Sequence, residues 1–515
     1  MQSTFPGGKF HPPAIHTDPT LMPIPLIDLF AGPGGLNEGF SHVRDSQGRR
    51  IFETVLSVER DHWAHQTLEL RALFRRLDSD KSKCRYFEYV SGRITREKLF
   101  EEMGAASKVA ASEALLAELG KPATSREVED RVAAALTRLG TRECVLIGGP
   151  PCQAYSLVGR ARRSREALVD FEADPKHRLY LEYLKVVRRF KPAVFVMENV
   201  PGLLSAKWQS NGMFDMICKG LRDAGYELHG LGDEAAQGLL FENSREFVLH
   251  AEEHGVPQSR NRLFIFGVRN DIGKRPRRMV ADRTALVSAS AALRDLPPIR
   301  SRMSKEADSA KSWRAAITEI AGYAFNNLEP NFAKALKKRA ESIPDTLALG
   351  GQVLDATATP SIHTSWYSDS LLSVVLNHNS RGHMRRDLLR YFFWAEYGRH
   401  YERSPTLRDA PHFLRPNHAN AAMEGAPFVD RFRVQLAKKP STTITSHIAK
   451  DGHYYIHYDS LQCRSLSVRE AARLQTFPDN YYFEGPVTEQ YQQVGNAVPP
   501  YLAKQIGSIV GSILG

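Results

Sequence analysis

Short apolar runs in the first 270 residues alternate with segments of helical periodicity, and this alternation restricts the chain to few folds. Each run has about the length of a short strand, and helical patterns cover about residues 63–77 and 181–190. The alternation indicates βαβ units, so we predict an α/β fold with a doubly wound, mostly parallel sheet covered by helices. The predicted strands are Leu26–Phe30, Val55–Glu59, Val145–Ile147, Ala193–Met197 and Leu263–Val268.

Glycine-rich or polar segments follow the carboxyl ends of four of these runs. A glycine turn spans residues 31–35, Glu59 ends the second run, a Pro-Pro-Cys turn ending at Cys152 follows the third, and Glu198 follows the fourth. In open α/β sheets, ligands bind outside the carboxyl ends of the strands. We therefore expect the functional site at this edge of the sheet.

Composition narrows the class of protein. The net charge of +11 and the pI near 9.3 are consistent with a protein that binds a polyanion. They are equally consistent with a soluble basic protein that has no such partner. The five cysteines form no C-x-x-C pair, so we expect no disulfide framework and no metal site, and a reducing cytosol. No apolar signal core and no stretch of ~18 apolar residues occurs, so we predict no membrane span.

The rhythm of strands and helices predicts how the chain is divided. We predict a flexible tail at 1–20 and a catalytic domain at 21–278, completed by 486–515 and carrying a helical insertion at about 96–142, of which 110–119 is the clearest part. A second, irregular domain is predicted at 279–485. It includes the block 464–478, in which Ser467 and Glu470 have the spacing of a helix capping box.

Cys152 is the candidate nucleophile. An isolated cysteine is usually a small buried apolar residue, but a proline-fixed turn after a strand favours an exposed, reactive thiol. The arginine-rich run at 160–165 that follows suits phosphate contact, or is an ordinary solvated charge run.

Glu198, Arg260 and Arg262 are further candidates. Glu198 either caps a neighbouring helix or is held partly protonated for acid catalysis. Arg260 and Arg262, two residues apart on a predicted strand, would point to the same face. They would stabilise an anion or orient a carboxylate, unless they form a surface salt bridge.

These motifs, in this order, resemble the DNA (cytosine-5) methyltransferase family. Two later segments add to the resemblance: 464–478 is similar to the family's late signature block, and 493–499 to its last motif. The resemblance covers about 21–270 and 440–515, and the region between them is where the family keeps its target recognition domain.

The resemblance implies a mechanism and a cofactor. The Cys152 thiolate would add to carbon 6 of a flipped-out cytosine, Glu198 would hydrogen-bond or protonate ring nitrogen 3, and Arg262, with Arg260 as a second candidate, would hold the base and position Glu198. S-adenosylmethionine would supply the methyl group and leave as S-adenosylhomocysteine. The cofactor-binding residues implied are Asp28, Phe30, Ala31, Gly32, Gly34, Gly35, Leu36, Glu59, Ile94, Pro150 and Asn496. The DNA-binding residues implied are Gln153, Ser156, Arg160, Arg162, Arg163 and Arg165.

The chain departs from the family at the adenine pocket. Arg60 replaces the aromatic residue that often follows Glu59, and Arg93, before Ile94, stands where the third strand usually carries an adenine-reading Asp. Glu88 is a candidate substitute for that Asp.

Other functions were weighed. A tRNA cytosine methyltransferase would carry a Cys-Phe-Thr signature, which this chain lacks. An inactive DNA-binding regulator would not need Cys152, Glu198 and Arg262. A zinc-dependent cytosine deaminase would need a second cysteine at the position of Tyr155. We therefore expect a bacterial enzyme that acts as a monomer on double-stranded DNA and is located in the cytoplasm, at the nucleoid. We also expect it to belong to a restriction–modification or other phage-defence system, whose proteins are possible partners.

Overall fold

The computed structural model describes residues 22–151, 179–208, 211–232, 245–325, 327–416 and 430–515. The strands in these ranges are β1 (Ile24–Leu29), β2 (Phe52–Glu59), β3 (Ala114–Leu116), β4 (Val145–Gly148), β5 (Val194–Asn199), β6 (Lys207–Trp208), β7 (Asn211–Gly212), β8 (Tyr226–His229), β9 (Val248–His250), β10 (Gln258–Ser259), β11 (Asn261–Arg269), β12 (Val353–Leu354), β13 (Val375–Leu376) and β14 (Ser441–Thr442).

Helices in the described ranges pack against the sheet and also occur in the C-terminal half of the chain. They are α1 (Gly35–Ser41), α2 (His62–Phe74), α3 (Asp80–Val90), α4 (Arg96–Glu102), α5 (Gly104–Glu113), α6 (Pro122–Arg138), α7 (Leu179–Phe190), α8 (Met213–Asp223), α9 (Ala289–Leu293), α10 (Ala310–Thr318), α11 (Pro330–Glu341), α12 (Thr364–Tyr367), α13 (Arg385–Tyr401), α14 (Val468–Leu474), α15 (Val487–Asn496) and α16 (Pro500–Leu514).

The main sheet has the order β3-β2-β1-β4-β5-β11-β8, and β9 pairs with β11. Neighbouring strands from β3 through β5 are parallel, whereas β11 runs antiparallel to β5, β8 and β9. One face is covered by α6, α7 and α8, and the other by α1 and α16. The predicted α/β class is therefore confirmed.

The C-terminal helix α16 packs on α1. A Cβ built on Gly39 of α1 would lie 2.5 Å from Ala503 of α16, so a larger residue there would force the helices apart. The C-terminal helix therefore lies against the same face of the main sheet as α1.

The third strand lies elsewhere than the sequence suggests. The strand β3 pairs in parallel with β2, inside a segment predicted to be helical, whereas Ile94 and the residues around it connect α3 to α4. The prediction of a third strand near Ile94 is wrong because α3, α4 and α5 are inserted between α2 and β3. Those three helices pack against α2, with Leu70 and Phe87 in their shared core.

The region predicted to be irregular contains a helical core. The helices α10, α11 and α13 pack through Trp313, Leu336 and Trp394, each fully buried. Residues 387–398 of α13 are all buried, so its neighbours enclose this part of the helix. The capping box predicted at Ser467 and Glu470 is present at the start of α14.

Candidate active site

The carboxyl ends of β1, β2, β4 and β5 meet along one edge of the sheet. The chain order reverses at β1, which lies between β2 and β4. A crevice opens where the connections from neighbouring strands diverge to opposite faces, and ligands of open α/β sheets bind there. The glycine turn after β1 and the turn that leads into Cys152 after β4 border this crevice.

The glycine turn is held against the end of β2 by Glu59. Phe30, Gly32 and Gly34 have φ values of 58°, 57° and 92°, and the main-chain N–H of Gly32 donates to Glu59 Oε2 at 2.7 Å. Glu59 Oε1 accepts from the N–H groups of the two residues that follow it. Burial raises the pKa of Glu59 above its ordinary value, while these three N–H donors oppose the shift. The turn thus presents a carboxylate beside open space at Gly32, where a Cβ would meet no atom within 4 Å.

Distant parts of the chain brace the same turn. Tyr481 donates a hydrogen bond to the Pro33 carbonyl, and a Cβ on Gly35 would overlap the Val498 carbonyl. Of the other residues implied here, Ala31 is partly buried and Leu36 buried, whereas Asn496 at the end of α15 is exposed. Sequence reasoning missed Tyr481, since its partner is more than 400 positions away and nothing local marks it.

Asp28 differs from the other predicted cofactor residues. It has no exposed surface, and neither carboxylate oxygen has a hydrogen-bond partner within the part of the chain that the structure describes. Burial raises the pKa of Asp28 well above its ordinary value, which favours the neutral acid. Its side chain therefore lies beneath the crevice instead of lining it.

The end of β3 brings a carboxylate to the adenine side of the predicted pocket. Leu116 pairs with Glu59, and Glu118 follows two residues later with its side chain 3.6 Å from the Arg60 guanidinium. A hydrogen bond from Lys121 and the charge of Arg60 hold the pKa of Glu118 below its ordinary value, so it is ionised near neutral pH. Leu116 itself is 45% exposed and offers an apolar wall.

The residues predicted from the α3–α4 region do not reach this edge. Ile94 packs in the core of the helical insertion, and Glu88 forms an ion pair with Arg85. Glu118 instead lies just after the end of the third strand, the position that the sequence predicts near Ile94. The sequence does not indicate Glu118, because residues 110–119 have a helical pattern.

Glu198 and Arg262 form an ion pair across two neighbouring strands. Glu198 on β5 lies opposite Phe264 on β11, and Arg262, two residues from Phe264, projects to the same face. Arg262 Nε lies 2.8 Å from Glu198 Oε1, and both side chains keep 12–15% of their surface exposed. Burial lowers the pKa of Arg262, and Glu198 opposes that shift.

Two atoms of this ion pair remain without partners. Glu198 Oε2 accepts no hydrogen bond from the described residues, and Arg262 Nη2 donates none to them. One carboxylate oxygen and one guanidinium nitrogen of this partly exposed ion pair are therefore available to recognise a polar ring edge.

The turn after β4 brings the chain to this ion pair. A Cβ on Gly149 would lie 2.9 Å from Glu198 Oε2, and the Asn199 side chain donates to the Pro150 carbonyl at 3.1 Å. Asn199 thus fixes the turn that leads into Cys152. The predicted residues Cys152, Gln153, Ser156, Arg160, Arg162, Arg163 and Arg165 lie outside the described residues.

Arg260 does not join Glu198. It is 1% exposed and donates to the main-chain carbonyls of Ile444 and Ala497 at 2.6 and 2.8 Å. The expectation that Arg260 and Arg262 share one strand face is wrong, because Arg260 occupies a break between β10 and β11 and turns toward the C-terminal segments. Burial, reinforced by the charge of Arg262, lowers the pKa of Arg260 well below its ordinary value.

Replacing Arg260 should therefore destabilise the chain. We expect Arg260→Met to leave buried carbonyls unpaired and to lower the free energy of unfolding by about 3 kcal/mol. A urea titration followed by circular dichroism measures this, with Asn261→Ala, an exposed neighbour, as the control. A midpoint equal to that of the unmodified protein would show that these hydrogen bonds contribute nothing.

Among the described residues, no cluster of His, Cys, Asp and Glu could hold a metal ion, and no helix is long and apolar enough to cross a membrane.

Comparison with known proteins identifies the family. The family model of the C-5 cytosine-specific DNA methylase matches residues 141–512. The chain is 31% identical over 513 residues to the type II methyltransferase M.Bpa9945I of Bacillus paralicheniformis, covering 95% of this chain and 99% of that protein. It is 25% identical to the DNA (cytosine-5-)-methyltransferase M.ApeKI of Aeropyrum pernix over 72% of this chain and 81% of that one.

A solved structure supports the fold alone. It is an E. coli prophage protein assigned as a DNA modification methyltransferase, 17% identical, with a TM-score of 0.51 over 95% of this chain and 99% of that one. The extent of the family match and of the M.Bpa9945I alignment shows that this chain belongs to the C-5 cytosine-specific DNA methylase family and is a DNA (cytosine-5-)-methyltransferase.

Proposed function

We propose that this enzyme transfers a methyl group from S-adenosylmethionine to carbon 5 of a flipped-out cytosine in a specific duplex sequence. The observation that carries the proposal is the Glu198–Arg262 ion pair beside the turn that leads into Cys152, in which Glu198 Oε2 and Arg262 Nη2 have no hydrogen-bond partner among the described residues. Relatives named type II methyltransferases support a place in a restriction–modification system, hence in the bacterial cytoplasm at the nucleoid.

The chain's own residues would activate the base. The Cys152 thiolate adds to carbon 6, and this addition makes carbon 5 nucleophilic. Glu198 Oε2 holds a proton at ring nitrogen 3 while electron density moves into the ring, and Arg262 Nη2 donates to the exocyclic oxygen. Once carbon 5 carries the methyl group, loss of its proton to water would restore the 5,6 double bond and expel the Cys152 thiolate. The base must leave the duplex first, because carbon 6 is not accessible within the stack.

The crevice beside the glycine turn fits the cofactor. Open space at Gly32, the Glu59 carboxylate and the exposed Leu116 side chain suit the sugar and the purine of a nucleoside. When bound, S-adenosylmethionine supplies an electrophilic methyl group on a positively charged sulfur. Glu59 would accept the ribose hydroxyls, Glu118 would accept the adenine amino group, and the Arg60 guanidinium would lie against the adenine ring.

Glu118 can be tested through cofactor binding. We expect Glu118→Gln to weaken the binding of S-adenosylhomocysteine about tenfold, because an ionised acceptor of the adenine amino group is lost. Isothermal titration calorimetry gives the dissociation constant, and Glu127→Gln on the neighbouring helix α6 is the matched control. Equal affinities for the two variants would remove Glu118 from the pocket.

DNA contact would involve residues that follow Cys152 in the sequence. Gln153, Ser156, Arg160, Arg162, Arg163 and Arg165 stay assigned to DNA binding, and we propose a monomer on the duplex. Bisulfite sequencing of DNA from a methylation-deficient host that expresses the chain tests the whole proposal. Methylcytosine at one recurring sequence is expected; methylation confined to tRNA, or none, would contradict it.

A further inference from the structure

The glycine turn after β1 rests on the side chain of Tyr481, which belongs to a segment near the C-terminus. Tyr481 is fully buried, and its hydroxyl donates a hydrogen bond to the Pro33 carbonyl inside the turn. A Cβ built on Gly34 would lie 3.2 Å from the same hydroxyl oxygen. Burial raises the pKa of Tyr481, so the hydroxyl keeps its proton and acts as the donor. The turn and the tyrosine are therefore in direct contact.

Neighbouring side chains hold the Tyr481 ring in one position. The rings of Phe477 and Phe483 pack on it with centroids 4.7 and 5.4 Å away, and the Arg71 guanidinium lies 4.8 Å from its centroid. Arg71 also donates two hydrogen bonds to Glu38, at 2.9 and 2.5 Å, in the helix α1 that begins at the glycine turn. One arginine thus holds both the tyrosine ring and the helix that follows the turn.

The inserted helix α3 anchors the segment 480–484, which carries the tyrosine. Tyr86 of α3 donates to the Asn480 carbonyl at 2.8 Å, and Tyr89 donates to the Glu484 side chain at 2.5 Å. The same insertion leads through α5 into β3, whose end borders the adenine side of the predicted pocket. The insertion therefore contacts the proposed cofactor crevice at two places, through β3 and through this segment.

The glycine turn is held from two sides. From the sheet, Glu59 accepts the N–H of Gly32, and from the C-terminal segment the Tyr481 hydroxyl binds the carbonyl of Pro33. Pro33 is buried between two glycines of positive φ. A buried carbonyl that loses its partner is unfavourable, so without the hydroxyl the turn would relax toward another conformation.

We propose that Tyr481 is a positioning residue for the cofactor, whose hydroxyl holds the glycine turn in its binding conformation before the cofactor enters. This inference rests on the proposed function, which places S-adenosylmethionine in this crevice. A site that is already ordered binds more tightly, because less conformational freedom is lost on binding. Since Tyr481 acts on the turn and not on the cytosine, its effect falls on cofactor affinity and not on the chemical step.

Tyr481→Phe tests the proposal because it removes the hydroxyl and keeps the ring. We expect the dissociation constant of S-adenosylhomocysteine to rise about tenfold, the equivalent of one hydrogen bond. The KM for S-adenosylmethionine should rise by a similar factor, whereas kcat at saturating cofactor and DNA should change less than about twofold. Isothermal titration calorimetry gives the dissociation constant, and initial rates of methyl transfer give KM and kcat.

Tyr226→Phe is the matched control. Tyr226 is 2% exposed and donates to a proline carbonyl in the same way, at 2.7 Å from Pro192. Pro192 lies just before the amino end of β5, at the edge of the sheet opposite to the crevice. Both variants should lower the melting temperature by a similar amount, about 1–3 °C. Only Tyr481→Phe should weaken cofactor binding, which separates positioning from a general loss of stability.

A second variant acts on the same contact from α3. Tyr86→Phe removes the hydrogen bond to the carbonyl of Asn480, next to Tyr481, and should weaken S-adenosylhomocysteine binding about threefold. Equal affinities of Tyr481→Phe and Tyr226→Phe would overturn the inference, as would a fall in kcat with unchanged affinity. If the unmodified protein binds no S-adenosylhomocysteine, the proposed cofactor site is contradicted and the inference with it.

Discussion

Cys152→Ala should abolish methyl transfer while DNA binding stays near that of the unmodified enzyme. Carbon 5 of cytosine reacts with a methyl sulfonium only after a nucleophile has added to carbon 6, and alanine offers none. We expect a loss of about 10⁴-fold or more in the single-turnover rate, as for other enzymes that lose their nucleophile. Radiolabelled methyl transfer to a duplex at saturating enzyme measures this rate.

The chain offers a matched control for this variant. Cys84 is an exposed cysteine on α3, outside the crevice, so Cys84→Ala removes a thiol without removing the nucleophile. It should retain full activity. Turnover of Cys152→Ala within a few fold of the Cys84→Ala rate would refute the role given to Cys152.

Glu198→Gln should give the second largest loss. A neutral amide cannot hold a proton at ring nitrogen 3 as a carboxyl group does, and it leaves the Arg262 guanidinium without its counter-ion. General acid catalysis contributes typically 10²–10⁴-fold, so we expect kcat to fall by about that factor. Glu143→Gln, an exposed carboxylate paired with Arg269, is the control.

A double-mutant cycle separates the contributions of the ion pair. If Glu198 and Arg262 act as one unit, adding Arg262→Ala to Glu198→Gln should cost far less than it does in the unmodified enzyme. Strictly additive losses in kcat would mean that the two side chains act independently, and the pairing at 2.8 Å would then have no catalytic consequence.

Much of this site follows from local sequence patterns. Apolar runs predicted four strands of the edge, and Glu59, Gly149 and Glu198 lie at or just beyond the carboxyl ends of these runs. Apolar runs and turn residues act over a few positions, so a single sequence reveals them. The Ser467 capping box was predictable for the same reason.

What could not be predicted depends on contacts between distant parts of the chain. The strand Ala114–Leu116 has only three residues and lies in an Ala- and Glu-rich segment with a helical pattern. Pairing with β2 overrides this pattern. A hydrogen bond from the Ala117 N–H to the Glu59 carbonyl extends the pairing. Arg260 likewise follows the period of a strand but turns away at a break, toward carbonyls about 180 to 240 positions later.

The proposed mechanism depends on a covalent bond between Cys152 and carbon 6 of an extruded cytosine. A duplex containing 5-fluorocytosine at the target position tests it, because fluorine replaces the proton whose loss would release the thiol. With S-adenosylmethionine present, we predict a denaturation-resistant complex whose mass spectrum places the methylated base on Cys152, and none with Cys152→Ala. Failure to form this complex at a duplex site that the enzyme methylates, or attachment through another residue, would contradict the mechanism.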